Sequence, residues 1–400
     1  MNKKVMAVAV AGAFAAPTAA LAQASNVQIY GTMYLEYSYA HQGQLASATG
    51  GDLVNADILQ TPGSEIGFKG EEALGGGLSA WFQCTSTADL RGVGTGGGGQ
   101  GFCGRNSAIG LKGGWGNVYA GNWDMPMKKT AGAARIVSDT GVWGAGFLLY
   151  GNSSTFNDAA GNFAFSRRQN NTIFYDTPVW NGFQVFTAVS ATSSGTGNSN
   201  NATGAKPRSW GIAGNYTNGP LLITAGYENH KSLTAGAAFG FNGTDTGWQI
   251  GGAYQAGPVK IGLLYTSQKW DMGGFAVGTD AKVTAWNIAG EWNIQGPHAL
   301  RGGYTKANST SGSFAGSVGT GPGGNSSVFG NRVFNGGASG TGGSLWQVQY
   351  VYNASKRTEL TAGAAFLSND TLARYSLGGY TAPANGQNQN AVGISIKNTF

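Results

Sequence analysis

The sequence predicts an all-β protein, a transmembrane antiparallel β-barrel of sixteen strands, and three observations lead to this fold class. The chain ends in a strand pattern that places Val392, Ile394, Ile396 and Phe400 on one face. An export leader precedes the first strand, and very short turns alternate with very long connections along the rest of the chain. A terminal strand with an apolar stripe needs partners on both edges, so we expect it to pair with the first strand and close the sheet.

Residues 1–22 have the pattern of a secretory signal peptide. Lys3 and Lys4 supply a positive start, Val5–Ala15 form the apolar stretch, and Ala20–Ala22 form a small-x-small cleavage site. The apolar stretch is too short to span a bilayer as a helix. Removal of this leader leaves 22 basic and 18 acidic residues, a net charge of +4. Because the basic residues are scattered, the sequence predicts no nucleic-acid partner.

Composition favours one membrane domain over residues 23–400. The chain contains 70 Gly, and only 10% of its residues are charged, against about 25% in a typical soluble protein. Such a chain has too little charge to cover a water-soluble surface. A disordered Gly-rich chain would share the low charge, but 11 Trp, 16 Tyr and 19 Phe at regular spacing argue against disorder.

Alternating segments of about ten residues are separated in turn by Gly-, Pro- or Asn-marked tight turns and by long polar connections. The segments predicted as strands are 27–39, 64–73, 76–87, 103–112, 116–122, 167–177, 181–190, 208–217, 220–229, 246–256, 258–267, 281–293, 297–306, 344–353, 357–367 and 388–400.

Each predicted strand has an apolar face and a face that is mostly polar or Gly. In the first strand Ile29, Met33 and Leu35 share one face, and Gln28 and Glu36 lie on the other. A soluble sandwich would bury the apolar face, whereas a membrane barrel turns it toward lipid and keeps a wet interior. Alternation does not separate the two folds, so the leader, the closing terminus and the turn asymmetry favour the membrane barrel.

The third long connection, residues 123–166, differs from the others in length and composition. It carries charged residues beside the apolar run Val142–Tyr150. A polar surface loop has no need of such a run, whereas a loop folded back into a barrel could pack it.

Cys84 and Cys103 enclose a Gly-rich loop and lie at the ends of two predicted strands. Export to an oxidising compartment favours a disulfide, although unpaired thiols are the alternative. Two thiols and three dispersed His residues do not predict a metal site.

Several segments together resemble the trimeric general porins of Gram-negative bacteria, in particular the β-proteobacterial and neisserial branch. They are Gly63–Gln83, Arg105–Leu111, Arg168–Pro178 and Ser355–Thr358, and the likeness extends over essentially the whole mature chain. The resemblance implies a sixteen-stranded homotrimeric barrel whose third loop folds into the lumen. It also implies a constriction where wall basic residues oppose acidic residues of that loop, with a transverse field that favours polar solutes.

Family positions are carried over residue by residue. Arg168 matches a wall Arg of the family, and alternation places it inward, whereas Arg105 has outward alternation. Glu65 and Asn122 stand where the family usually has Arg, which leaves the choice between anions and cations open. The candidate constriction residues are Arg168, Glu65, Lys69, Asn122, Arg167, Asp124, Asp139 and Asp158.

The sequence therefore predicts an outer-membrane porin through which small hydrophilic solutes and ions diffuse passively. The expected partners are outer-membrane lipid, lipopolysaccharide and two further copies of the chain, with no cofactor. One alternative is a substrate-specific channel for a sugar or an anion, and another is a surface adhesin or receptor. The only His residues, His41, His230 and His298, share no common face, so no enzyme is predicted.

Overall fold

A computed structural model of the chain gives the fold. The residues that it describes are 27–44, 55–92, 101–137, 141–144, 146–150, 165, 167–191, 208–231, 243–271, 279–313, 339–381 and 383–400. The predicted signal peptide, residues 1–22, lies outside the described residues.

The described residues form seventeen strands and two helices. The strands are β1 Gln28–His41, β2 Asn55–Gln60, β3 Glu65–Gly75, β4 Leu78–Thr87, β5 Ser107–Gly113, β6 Gly116–Asp124, β7 Arg168–Asp176, β8 Phe183–Ser190, β9 Arg208–Asn218, β10 Leu221–Lys231, β11 Thr244–Ala256, β12 Val259–Asp271, β13 Asp280–Asn293, β14 His298–Ala307, β15 Gly343–Asn353, β16 Thr358–Asn369 and β17 Gln389–Thr399. The helices are α1 Pro126–Ala134 and α2 Gly146–Tyr150.

All strands belong to one antiparallel sheet with sixteen wall positions, because β2 and β3 occupy one position together. Pro62 and Gly63 interrupt the strand between them. Ser64 bridges the interruption: its Oγ accepts a hydrogen bond from Tyr34 N–H at 2.9 Å and donates one to Tyr34 O at 2.8 Å. The sixteen-strand prediction is confirmed, although β2 lies in a stretch, 40–63, that was predicted to be a connection.

The two ends of the chain close the barrel. β17 pairs with β1 on one side and with β16 on the other. The backbones of Gly31 and Phe400 exchange two hydrogen bonds, of 3.0 and 3.2 Å. This pairing leaves no free sheet edge along the wall, as a membrane-spanning sheet requires.

The outer face of the wall is apolar. Ile29, Trp346 and Ile394 have 62%, 60% and 61% of their surface exposed, whereas Glu36 and Gln347 on the inner face are buried. Such exposure of large apolar side chains is typical of a barrel whose outer face meets lipid. Of the described helices, neither is long and apolar enough to cross a membrane.

The structure joins Cys84 to Cys103 in a disulfide whose Cα atoms are 4.7 Å apart. Cys84 lies in β4, and Cys103 lies in a turn four residues before β5 begins. Its φ of +59° and a hydrogen bond from its N–H to Ser86 Oγ at 3.0 Å hold this turn. The prediction that a strand starts at residue 103 was therefore wrong.

Replacing both cysteines with Ser should destabilise the loop that they enclose without closing the channel. The loop holds 18 residues between the cysteines, and the loop-entropy model assigns such a bridge about 3 kcal/mol. Electrophoretic migration with and without reductant, and bilayer conductance of the double variant, check this prediction. Identical migration of the oxidised and reduced protein would argue against the bridge.

Candidate functional site

Five charged side chains form a cluster where the wall meets the third connection. Glu65 Oε2 lies 2.6 Å from Arg105 Nε, and Asp124 Oδ1 lies 3.0 Å from Lys128 Nζ and 3.3 Å from Arg168 Nη2. Each acidic side chain thus has a cationic partner. With three basic and two acidic members, this charge cluster keeps one net positive charge.

Two asparagines organise the charge cluster. Asn106 links its members, because Asn106 Nδ2 donates to Asp124 Oδ2 at 3.0 Å and Arg168 Nε donates to Asn106 Oδ1 at 2.5 Å. Asn122 Nδ2 donates to the carbonyl oxygen of Arg105 at 3.1 Å and to that of the preceding residue at 2.9 Å. Asn122 therefore holds the backbone of Arg105. Beside Asn122, which stands where the family usually has Arg, the basic group comes from Arg105.

A β-bulge changes the alternation on which the inward prediction for Arg168 depended. Gly121 of β6 pairs with Thr172, but Trp123 pairs with Gln169, so β7 has one additional residue between these pairs. Across such a bulge, alternation no longer assigns a side chain to one face of the sheet. The position of the Arg168 side chain is therefore described by its contacts with Asp124 and Asn106. Arg105 was predicted to lie in a strand with outward alternation, but it precedes β5 and pairs with Glu65. Its assignment to a strand was therefore wrong.

The remaining sequence-predicted residues lie elsewhere. Lys69 is further along β3, with Nζ 5.0 Å above the centre of the Tyr30 ring. Arg167 is buried, with 5% of its surface exposed. Asp139 and Asp158 lie outside the described residues. The structure thus gathers Glu65, Asn122, Asp124 and Arg168 of the predicted set and adds Arg105, Asn106 and Lys128 to them.

The described part of the third connection contacts inward side chains of the wall on several sides. We call residues 125–137, 141–144 and 146–150 the inner segment. Gln249 of β11 donates to Met127 O at 2.7 Å, and Gln268 of β12 donates to Leu149 O at 2.6 Å. Glu36 of β1 accepts a hydrogen bond from the peptide N–H of the inner segment at residue 142. Polar wall groups thus replace the backbone partners that a connection between strands lacks.

An apolar core fills much of the space between the inner segment and the wall. Trp143 and Leu148 of the inner segment are buried, as are Leu264, Leu345 and Leu367 of β12, β15 and β16. The prediction of mostly polar or Gly inner positions was wrong for these parts of the wall. Two large apolar residues that are adjacent in a strand point to opposite faces of the wall, so one of them points inward. Such adjacent pairs are the sequence signal that could have predicted apolar inner positions.

The carboxylate of Glu36 is the central acceptor of one contact between the inner segment and β1. Its Oε1 accepts hydrogen bonds from Val142 N–H at 2.9 Å and from Gln60 Nε2 at 2.6 Å, and its Oε2 accepts one from Tyr34 OH at 2.9 Å. Gly141 has a φ of +73° and no room for a Cβ beside this carboxylate. We call this arrangement the Glu36 latch.

An aromatic group lies on the inner face of β4, β6 and β7. The ring of Tyr119 stacks on that of Phe174, with ring centres 4.9 Å apart. Its centre is 5.4 Å from that of Trp81 and 5.3 Å from that of Trp123. Lys129 of α1 adds a cation, with Nζ 3.1 Å from Tyr119 OH. Burial lowers the pKa of the Lys129 ammonium group, an effect that a neighbouring carboxylate opposes. Within the described part of the chain, no group of three His, Cys, Asp or Glu residues could hold a metal ion.

A family model described as "Gram-negative porin" matches residues 7–372. The major outer membrane protein P.IB of Neisseria meningitidis serogroup B is 38% identical over 136 residues, which cover 32% of this chain and 36% of that protein. A P.IB protein of Neisseria gonorrhoeae is 46% identical over 68 residues, 17% of this chain and 18% of the relative. The matched stretches thus span about a third or less of these curated relatives.

Solved structures share the fold over nearly the whole chain. The anion-selective porin from Comamonas acidovorans has a TM-score of 0.69 at 22% identity, covering 94% of this chain and 100% of that one. The trimer form of OmpT from Vibrio cholerae has a TM-score of 0.61 at 14% identity, covering 94% of this chain and 100% of that one. At these identities the likeness establishes the barrel architecture.

Proposed function

This chain belongs to the Gram-negative porin family, and from that premise we propose that it forms a water-filled channel in the outer membrane. Small hydrophilic solutes and ions diffuse through it passively. The closed barrel carries the proposal, because its outer face is apolar while polar side chains such as Glu36, Gln249 and Gln347 lie on its inner face. Lipid outside and water inside satisfy both faces. The proposed activity involves no reaction, metal or cofactor.

In this proposal the inner segment narrows the channel. Helix α1 lies against β8–β12 and α2 against β12–β15. The passage therefore runs beside β3–β7, where the charge cluster and the aromatic group lie. Opposite charges in a narrow passage order the water between them, which disfavours an apolar solute.

The charge cluster gives the channel a weak preference for anions. The two acidic side chains, Glu65 at a family Arg position and Asp124 at the end of β6, would favour cations. Each of them, however, is paired with a cation at 3.3 Å or less. The remaining single positive charge attracts anions over a distance of about one Debye length, roughly 8–10 Å at physiological salt. The preference is thus expected to weaken as the salt concentration rises.

Arg168→Glu should change the preference from anions to cations. The substitution converts a net charge of one positive into one negative in the charge cluster, and it removes the hydrogen bond to Asn106. Reversal potentials in a KCl gradient across a planar bilayer measure the change. Arg357→Glu, in the turn between β15 and β16, is the matched control and should leave the reversal potential close to wild type. Equal selectivity of Arg168→Glu and wild type would remove Arg168 from the ion path.

Bilayer conductance also separates the candidate functions. A general channel shows linear, size-limited flux of sugars and ions, whereas a specific channel shows saturable block by one class of solute. The aromatic group beside the passage is the observation that favours the specific channel. If proteoliposomes admit neither small sugars nor ions, the protein is a surface adhesin or receptor instead.

We place the channel in a homotrimer, in contact with outer-membrane lipid and lipopolysaccharide, after removal of residues 1–22. The extent of the exposed apolar wall and the trimer form of the Vibrio cholerae protein support this assembly. Light scattering of the protein in detergent gives the number of chains, and mass spectrometry of the mature N-terminus gives the cleavage site. A single chain per particle would contradict the trimer.

A further inference from the structure

A polar cavity of about 550 Å³ opens on the inner wall along β1 and β3–β6. Its lining includes Lys69, Glu71, Trp81, Lys112 and Asn117. It lies apart from the charge cluster, because Lys69 is two inward positions further along β3 than Glu65. The proposed solute path therefore passes this cavity as well as the charge cluster.

Trp81 is held flat against this part of the wall. Its Nε1 donates to Asn117 Oδ1 at 2.7 Å, which draws the indole from β4 across β5 to β6. Gly110 of β5 lies directly beneath, and a Cβ there would be 2.8 Å from the indole nitrogen. The N–H edge of the indole is thus used by the wall. The rest of Trp81 is partly exposed and lines the cavity.

Lys69 supplies the cavity with a cation that is not neutralised by a nearby carboxylate. Lys112 Nζ and Glu71 Oε2 are 2.6 Å apart and cancel each other. Lys69 Nζ lies above the Tyr30 ring, and none of the ion pairs found in the described ranges includes it. The cavity as a whole is therefore positive by one charge.

Two amides of the cavity, those of Gln83 and Asn117, each use one side-chain atom to hold a group of the wall. Gln83 Nε2 donates to the carbonyl oxygen of Asn106 at 3.0 Å and to Thr85 Oγ1 at 3.3 Å, and Asn117 accepts from Trp81. What distinguishes this lining is an ammonium group that has no acidic partner among the described residues and lies close to a partly exposed aromatic surface. Such a pair of groups suits an anionic aromatic ligand better than a neutral sugar.

We propose that this cavity is a weak binding site for small carboxylates that carry an aromatic ring. The carboxylate pairs with Lys69 and the ring packs on Trp81. This proposal adds a solute class to the proposed function, and it rests on that function because the cavity must lie on the solute path. Binding is weak, since a cavity open to the lumen leaves the ion pair solvated and a fast channel must release its solute.

The test uses 4-fluorobenzoate in two parallel measurements. In planar bilayers the compound should reduce the single-channel KCl current in a saturable manner, whereas acetate, which lacks the ring, and 4-fluorobenzyl alcohol, which lacks the charge, should not. In detergent, the fluorine NMR line of 4-fluorobenzoate should broaden in the presence of the protein. If a conducting protein broadens the fluorine lines of 4-fluorobenzoate and 4-fluorobenzyl alcohol equally, the proposed site is wrong.

Two substitutions locate the binding. Trp81→Ala should weaken the block and the broadening about two- to tenfold, the range for loss of one aromatic contact. Lys69→Met should remove the difference between the acid and the alcohol. Trp346→Ala, on the lipid face of β15, is the matched control and should bind as wild type.

The two measurements also separate this inference from the proposed function. A conducting protein that does not broaden the fluorine line contradicts the site and leaves the channel intact. A protein that broadens the line without conducting contradicts the channel and leaves the site intact.

Discussion

Replacing Glu36 with Ala is expected to release the inner segment from β1 and to raise the single-channel conductance. The variant removes the acceptor of three hydrogen bonds, from Val142, Gln60 and Tyr34. An unsatisfied buried donor costs about 1–3 kcal/mol, so a total of about 3 kcal/mol raises the released population roughly a hundredfold. Larger and noisier single-channel steps than those of wild type are the expected readout in planar bilayers.

Two further variants distinguish loss of the Glu36 latch from damage to the wall. Leu35→Ala changes the neighbouring outward side chain and should keep wild-type conductance steps. Gly141→Ala leaves the carboxylate in place but introduces a Cβ where there is no room and a φ of +73° disfavours it. It should therefore reproduce the conductance of Glu36→Ala. Wild-type conductance of both latch variants would show that the inner segment does not depend on this contact.

Deleting Ala391–Phe400 is expected to abolish assembly of the barrel. The deleted residues form most of β17, which pairs with Thr32–His41 of β1 and with Thr358–Leu367 of β16. Without them two strand edges would face hydrocarbon, where each unsatisfied backbone group costs several kcal/mol. The folded band in unheated gel electrophoresis should disappear, and no channel should form in bilayers.

Phe400→Ala is the milder control for this deletion. It keeps the two backbone hydrogen bonds to Gly31 and removes only a half-exposed ring. We expect a folded band with a reduced yield. A folded band of normal intensity from the deletion variant would contradict closure of the barrel by β17.

The strands of the barrel were predictable because their signals are local. Alternation along Val392–Phe400 predicted the closing strand, and the Gly and Asn turns predicted the hairpins on one side of the wall. Even β2, which was not predicted, adds no new wall position, since it shares β1 with β3.

The site was less predictable because its contacts are not local. A bulge of one residue in β7 interrupts the alternation between Arg168 and Thr172, and Arg105 reaches Glu65 across 40 positions of sequence. Local alternation therefore assigned both arginines by a rule that does not extend across a bulge or beyond a strand end. Asn122 illustrates the same limit, since its role is to hold the Arg105 backbone.

Side-chain alternation, the export leader, the alternation of short turns with long connections and the apolar terminal strand together predicted a closed sixteen-strand barrel with a lipid-facing outside. Each of these signals lies within a short stretch of sequence. The folded chain decides which charges neutralise one another and how the Glu36 latch is built, since most of these pairs, such as Glu65–Arg105 and Glu36–Val142, join residues more than 15 positions apart. It also decides that a stretch of large apolar side chains packs against the inner segment instead of leaving a uniformly polar interior. Adjacent large apolar residues in one strand indicate that an inner position is apolar, but which segment packs against it is a property of the assembled barrel.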